Sequence, residues 1–332
     1  MPDAASSPLK STSHPAPSAE PDMEVLASSL LNGLTYGFLL FMLASGLTLI
    51  FSLMGIMNFA HASIYMLGAY VGYALAKHLG FWVGALVAPA LVGILGCALE
   101  RWFLRALHAR GHVVELLFTF GLALLIEEVV KLIWGAGPVD YNFPDALKGS
   151  LFELFGTPYP AYKGFMVMVT AAALAGLYAL VTHTRVGLIV RAALTHPLMV
   201  GNLGHDTDRV FMWVFGLGSA LAGLAGVIGG AALTTEPSMA TQLGTIIFVV
   251  VVIGGLGSIP GAFVASILVG LLQTLLIAVD LRLGEALIPM GLLAHGALAD
   301  VKISQLAPMA PYCLMVAVLL IRPRGLLGRR DA

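Results

Sequence analysis

The stretch that decides the fold is residues 25–53, VLASSLLNGLTYGFLLFMLASGLTLIFSL, which runs without one charged side chain. At about 1.5 Å of rise per residue, a helix of this length exceeds the roughly 30 Å of hydrocarbon in a bilayer. Hydrocarbon offers backbone N–H and C=O groups no water to bond, so a segment that crosses alone must pair its own, as a helix does.

Outward from this stretch the pattern repeats. Apolar runs follow at about 61–79, 81–99, 113–134, 162–182, 210–232, 242–256, 259–279 and 309–321, nine expected spans with the first. The expected fold class is all-α: a polytopic transmembrane helical bundle of eight or nine spans, some of them broken helices. Composition agrees, since the 332 residues are 59% hydrophobic and 11% charged, against about 25% charged in a soluble domain. A formal net charge of -1, with no basic stripe or tail, argues against a nucleic-acid partner. Cys97 and Cys313 both sit within apolar runs and read as small core residues rather than a disulfide or metal pair.

Residues 1–22 are rich in Ser, Pro and Ala, and residues 1–24 read as a disordered tail rather than a signal peptide. Residues 25–328 form the membrane domain. Arginines choose its orientation, because cytoplasmic loops retain positive charge. Arg101, Arg105 and Arg110, then Arg185, Arg191 and Arg209, then Arg322, Arg324, Arg329 and Arg330 fall on one side of the nine-span arrangement. Asp140, Asp145, Glu153, Glu236, Asp280, Glu285 and Asp300 collect on the other. The N-terminus is expected outside and the C-terminus in the cytoplasm. On the outer side, residues 135–161 carry Pro138, Pro144, Pro158 and Pro160 and cannot form one continuous helix. Residues 183–209 make the longest basic segment, with a short surface helix within 188–203 interrupted near Pro197, a natural docking surface for a cytosolic protein.

No enzyme is visible. HExxH, Walker A, GxSxG and CxxC are all missing, and the GxGxxG pattern fails at Pro260 in an apolar context. Without Walker motifs the chain hydrolyses no ATP itself, and no cofactor of its own is expected. His108 and His112 have helical i, i+4 spacing, but Gly111 lies between them; they read as a cytoplasmic loop pair rather than a metal site.

Glycine is more informative. Gly216, Gly218, Gly223, Gly226, Gly229 and Gly230 pave one span with small residues, which reads as close helix packing. Gly254, Gly255, Gly257, Pro260 and Gly261 are helix breakers between two apolar runs, tolerated where freed backbone groups face water, a substrate or other protein. Asn58, His61, Ser63 and Tyr65 follow the broken stretch at 54–57, as helix-to-helix bonding groups or as part of a substrate path. A path lined by Asn58, His61, Tyr65, Gly255, Gly257, Ser258, Pro260 and Gly261 is the candidate. Glu127 and Glu128, with Lys131 four residues after Glu127, read as an ion pair snorkelling to the interface.

Several separated motifs carry a resemblance. Asn32-Gly33-Leu34, then Gly55-Ile56-Met57-Asn58-Phe59-Ala60-His61 and Tyr65-Met66-Leu67-Gly68-Ala69-Tyr70, resemble the branched-chain amino-acid permease subunits of the H-type. Thr184-Arg185-Val186-Gly187, Arg191-Ala192, Gly204 and Thr207-Asp208-Arg209-Val210 resemble that family's cytoplasmic coupling segment. Gly254-Gly255-Leu256-Gly257-Ser258-Ile259-Pro260-Gly261 and Arg322-Pro323-Arg324-Gly325-Leu326 resemble its late motifs. The resemblance covers residues 25–328, in the right order. It implies an ABC importer of the bacterial inner membrane, with a second, M-type permease subunit, two cytosolic ATPase subunits that bind the ATP, and a periplasmic substrate-binding protein. It also implies that Arg185, Gly187, Arg191, Ala192, Leu194, Met199, Leu203 and Gly204 couple to the ATPases. The chain departs from the family pattern at Ala62, Ser63, His196-Pro197, Val200, Glu127 and Glu128, and in a longer outer segment at 280–308. A urea, short-amide or aromatic-acid permease shares these motifs, and a passive channel is the alternative of another class.

Overall fold

The computed structural model describes residues 23–328 except 56, 109, 155–156, 196, 205, 280 and 288–298. Most of the expected tail, His196, part of the 280–308 segment, Arg329 and Arg330 therefore lie outside the described residues. In chain order the helices are α1 (Met23–Met54), α2 (His61–Leu79), α3 (Phe81–Leu99), α4 (Arg105–His108) and α5 (His112–Trp134). They continue with α6 (Ala161–His183), α7 (Arg185–Thr195), α8 (Pro197–Asn202), α9 (Thr207–Ala232), α10 (Met239–Gly254), α11 (Ile259–Ala278), α12 (Leu283–Leu287) and α13 (Ala310–Ile321). Each of the nine expected segments coincides with one of these helices. Among the described residues six units are long and apolar enough to cross a bilayer: α1, α3 extended to His108, α6, α9, α11 and Ile303–Ile321. α10, with 16 residues, reaches only about 24 Å, while α2 and α5 carry the polar and charged side chains discussed below.

One small element is not helical. The outer segment folds into an antiparallel hairpin of β1 (Ser150–Leu154) and β2 (Thr157–Pro160). Pro158 and Pro160, which forbid a helix there, sit on a two-stranded ribbon whose outer edge needs no donor.

α1 and α9 run through the middle of the bundle, and small residues set how closely their neighbours approach. α1 meets α11 where Gly33 and Gly37 face Gly270, and α9 meets α2 where Gly68 faces Gly223. At Gly226 the approach leaves no room for a side chain: a Cβ there would fall on the Tyr65 carbonyl of α2. The expected small-residue face of α9 is therefore a packing face on two sides, since Cys97 of α3 also lies against Gly216. Cys313 differs from expectation; it is exposed on α13 rather than in the core. Leu86, Leu132 and Leu320 are each about four-fifths exposed, a distribution that suits a hydrocarbon solvent and not water.

Contacts sort the connections into two ends. Val139 N–H donates to the Thr235 carbonyl at 2.9 Å, and Lys163 Nζ donates to Asn32 Oδ1 at 2.5 Å, joining the 135–161 segment to the α9–α10 connection and the start of α6 to the first half of α1. At the opposite end Met54 packs with Leu99 and Leu104 in one cluster, and with Val190, Val210 and Ile259 in another. The arginine-bearing segments around 101–110, 185–191 and 322–324 all belong to that end.

Candidate functional site

The chain does not leave the bundle cleanly between α1 and α2. Leaving α1 at Met54, it climbs back so that His61, the first residue of α2, places Nε2 3.0 Å from the Leu43 carbonyl. Leu43 lies about three turns, or roughly 16 Å, back from the end of α1. α2 thus begins at depth inside the protein. Its start is held locally: Asn58 Oδ1 accepts the Ala60 N–H at 3.0 Å, and the Phe59 N–H donates to Thr119 Oγ1 of α5 at 3.3 Å. Asn58 and His61 are fully buried, yet Asn58 Nδ2 and His61 Nδ1 have no hydrogen-bond partner. Buried polar atoms without partners are uncommon and mark a place where another molecule or a moving segment supplies the bond.

The glycine turn lies elsewhere. Gly257 sits beside Phe51 and Ser52 near the end of α1, about 12 Å along that helix from Leu43, so the structure does not bring the two halves of the sequence-derived path together. Ser258 caps α11, its Oγ accepting the Gly261 N–H at 3.1 Å. The carbonyls of Ile253 and Gly254 accept from the N–H groups of Leu326 and Leu327, at 2.8 and 3.1 Å. Gly255 has φ +99 and lies against the backbone of Gly325 and Gly328. The backbone groups freed by the helix breakers are thus satisfied by the chain's own C-terminal segment, and the two late motifs form one unit that seals the end of α10.

Sequence reasoning missed the polar face of α10. Ser238, Thr241, Gln242 and Thr245 are exposed and share one face by helical spacing. Hydroxyls and amides at membrane depth face protein or a water-filled path rather than lipid. On one side this face borders a cavity of about 240 Å³ with Phe59, Ser63 and Glu127. On the other it borders a cavity of about 560 Å³ with Tyr36, Tyr65 and Gln273. Of the expected path residues, Tyr65 reaches the larger cavity. Phe59 packs against Phe248 with tilted rings whose centroids lie 4.9 Å apart, and edge-on against Phe120 at 6.4 Å, and all three line the smaller one. Glu127 and Glu128 do pair with Lys131, at 2.8 and 2.9 Å.

The basic segment is helical over α7 and α8, and the expected interruption near Pro197 falls at 196, outside the described residues. Gly187 is buried, and a Cβ there would fall on the carbonyls of Leu180 and Val181, so glycine lets α7 turn tightly off α6. Arg185, Arg191, Ala192, Met199, Leu203 and Gly204 are exposed, Leu203 by 78%. The side chain of Leu194 lies outside the described residues.

Beside this segment the structure builds an ion cluster that the sequence did not reveal. A π-helical turn at Glu100–Leu104 carries Glu100 inward, where it is 1% exposed. Arg105 Nη2 lies 3.5 Å from Glu100 Oε2 and donates to the Asp208 carbonyl at 2.9 Å. His108 Nδ1 contacts the buried Glu115, and His112 Nδ1 lies 3.4 Å from the same carboxylate. His108 and His112 are thus not a bare loop pair; Glu115, three residues after His112, sits between them. The cluster ties the end of α3 and the start of α5 to the first turn of α9, the residues that follow the coupling segment. Removing one partner of a buried pair strands the other, so Arg105→Leu is expected to cost about 2 kcal/mol, discounted for the partial exposure of Arg105. The thermal unfolding midpoint in detergent reads this, and Glu100→Gln in the same chain should recover part of the loss.

The family described as branched-chain amino acid transport system, permease component, matches residues 29–319. The chain belongs to this family. Its relatives include the high-affinity branched-chain amino acid transport system permease protein LivH of Escherichia coli, 28% identical over 318 residues, covering 91% of this chain and 95% of that protein. BraD of Pseudomonas aeruginosa, a permease protein of the same named system, is 26% identical over 326 residues, with 94% and 98% covered. A solved structure, PsaBC from Streptococcus pneumoniae in complex with Fab, superimposes with a TM-score of 0.45 at 14% identity, covering 88% of this chain and 91% of that one. As a branched-chain amino acid permease component, the protein is a multi-pass helical membrane transport subunit. Its match spans α1 through most of α13, and so includes the broken start of α2, the basic segment and the glycine turn.

Proposed function

We propose that this permease component is the H-type chain of an ATP-driven importer of branched-chain amino acids in a bacterial inner membrane. It pairs with an M-type permease chain, two cytosolic ATPase subunits and a periplasmic substrate-binding protein. The N-terminus lies outside and the C-terminus in the cytoplasm, so the basic end of the bundle faces the ATPases. The observation that carries this reading is α7–α8, where apolar Val186, Leu188, Met199 and Leu203 stand exposed beside Arg185 and Arg191. Apolar side chains fringed by arginine outside the span-forming helices are the composition of a protein interface. Arg185, Gly187, Arg191, Ala192, Leu194, Met199, Leu203 and Gly204 form that handle, and ATP is bound by the partners alone. Closure of the ATPase pair would move α7–α8, and the Arg105–Asp208 contact would pass the motion to α3 and α9. Asn58, His61 and Tyr65, with the polar face of α10, line the path, and residues 255–261 act as its pivot.

Reconstituting the four kinds of subunit in proteoliposomes and following ATP-dependent uptake of leucine, with urea as comparison, tests the whole reading. Leucine uptake that stops without ATP supports it; uptake indifferent to ATP would point to a channel, and uptake of urea alone would replace the cargo.

A further inference from the structure

At the basic end of the bundle a cavity of about 430 Å³ is walled by α1, α6, α7 and α9, within the roughly 300–1,000 Å³ typical of small-molecule sites. On α7 its wall is Val186, Ile189 and Val190, one face of the helix by i, i+3, i+4 spacing. Leu188, Met199 and Leu203, which belong to the proposed ATPase handle, lie outside that lining. On α9 the wall runs Arg209, Trp213, Leu217, a single stripe about 12 Å long. From the end of the bundle inward, that order is a guanidinium, an indole and an aliphatic chain. Arg209 is the one charged side chain among the described residues of the lining. Its Nε lies 2.9 Å from Asp206 Oδ2 in an exposed pair. An exposed pair of this kind contributes little, and a guanidinium has five donors in a planar fork, so an oxyanion can share it with Asp206.

Two of the walls, α6 and α9, are among the units that cross the bilayer, and Trp213, 64% exposed, stands at the surface between them and the solvent. At that level the solvent is lipid. Arginine reaching for headgroups, with tryptophan one turn deeper, is the arrangement of side chains at a membrane interface. We propose that this cavity holds an acyl chain of one phospholipid with a net negative headgroup, whose phosphate meets the Arg209 guanidinium. The sign of the headgroup follows from the surrounding charge. Arg185 and Arg191 flank the cavity-lining stretch of α7, while Asp208 is answered by Arg105 at 3.6 Å. With its chain beneath α7, the lipid props the coupling segment against α1 and α9. The site itself needs only the membrane fold; its place in the cytoplasmic leaflet, under the ATPase handle, rests on the importer reading.

The test is photo-cross-linking of the permease–ATPase complex in phosphatidylcholine nanodiscs doped with a small fraction of phosphatidylglycerol, or of phosphatidylcholine, bearing a diazirine at mid-chain. Peptide mass spectrometry locates the adducts. The phosphatidylglycerol probe should label Ile189, Trp213 and Leu217 about fivefold more than the phosphatidylcholine probe, the scale of one arginine near a headgroup. Leu86 and Leu132, about four-fifths exposed, should take both probes equally and serve as the bulk-lipid reference. Arg209→Gln should bring the ratio at the cavity towards one, whereas Arg209→Lys keeps it. Ile189→Phe with Leu217→Phe fills the cavity and should abolish labelling at Trp213 while the reference labelling persists, which a misfolded chain would not show. Equal labelling by the two probes at the cavity, or an unchanged ratio in Arg209→Gln, overturns the site. Labelling that the lone permease shows and the complex loses assigns the cavity to the ATPase and also overturns it. Selective labelling in a permease that recruits no ATPase upholds the site and overturns the importer reading instead.

Discussion

Met199→Asp together with Leu203→Asp is expected to leave the permease in the membrane at normal abundance while abolishing its recovery with ATPase subunits. Both side chains are exposed by more than three-fifths, so the isolated chain loses little packing. A charge set into the apolar part of an interface, by contrast, removes contacts and strands an ion, and central interface residues cost about 2 kcal/mol or more each. Two such changes weaken assembly by on the order of a thousandfold, and uptake falls with it. Co-purification on an affinity-tagged ATPase subunit measures the effect. Arg191→Glu should act more gently, leaving assembly detectable but uncoupling ATP hydrolysis from uptake.

The second large effect concerns packing. Gly226→Leu sets a side chain where α9 touches the Tyr65 carbonyl and the Ala69 amide of α2. The obstruction is backbone, which cannot rotate away, so the two helices must separate, and overpacking of this kind costs about 3 kcal/mol or more. The variant should accumulate poorly and lose a cooperative unfolding transition in detergent. Gly121→Leu on α5, where no atom lies within 4 Å of the added Cβ, should behave as wild type in the same assay. Equal behaviour of the two variants would mean that the α2–α9 contact is not close.

Much of this architecture is legible in the sequence, for a physical reason. Hydrocarbon forces each crossing segment to be helical, so the nine apolar runs mark the helices almost to the residue. The broken start of α2 is also visible, because Asn58 and His61 are polar groups where lipid would not accept them. The face of α10 is less visible because Thr241, Gln242 and Thr245 are mild and sit among apolar neighbours; their i, i+1, i+4 spacing was the available signal. The Glu100–Arg105–Asp208 cluster depends on a π turn and on a contact between residues far apart in the chain, which no local pattern encodes. The glycines at 254–261 announce a break but not its partner, since the C-terminal residues that fill it lie about seventy positions away.

The central claim is that the segment after α6 is gripped by an ATPase on the cytoplasmic side. The most direct measurement is cross-linking from Leu203→Cys, in a chain with Cys97 and Cys313 replaced by Ser, in inner-membrane vesicles of known sidedness. The expected result is an adduct with the ATP-binding subunit, with free thiol label reaching the introduced thiol only from the cytoplasmic face. Labelling from the outer face, or adduct formation with no ATP-binding protein, would contradict it.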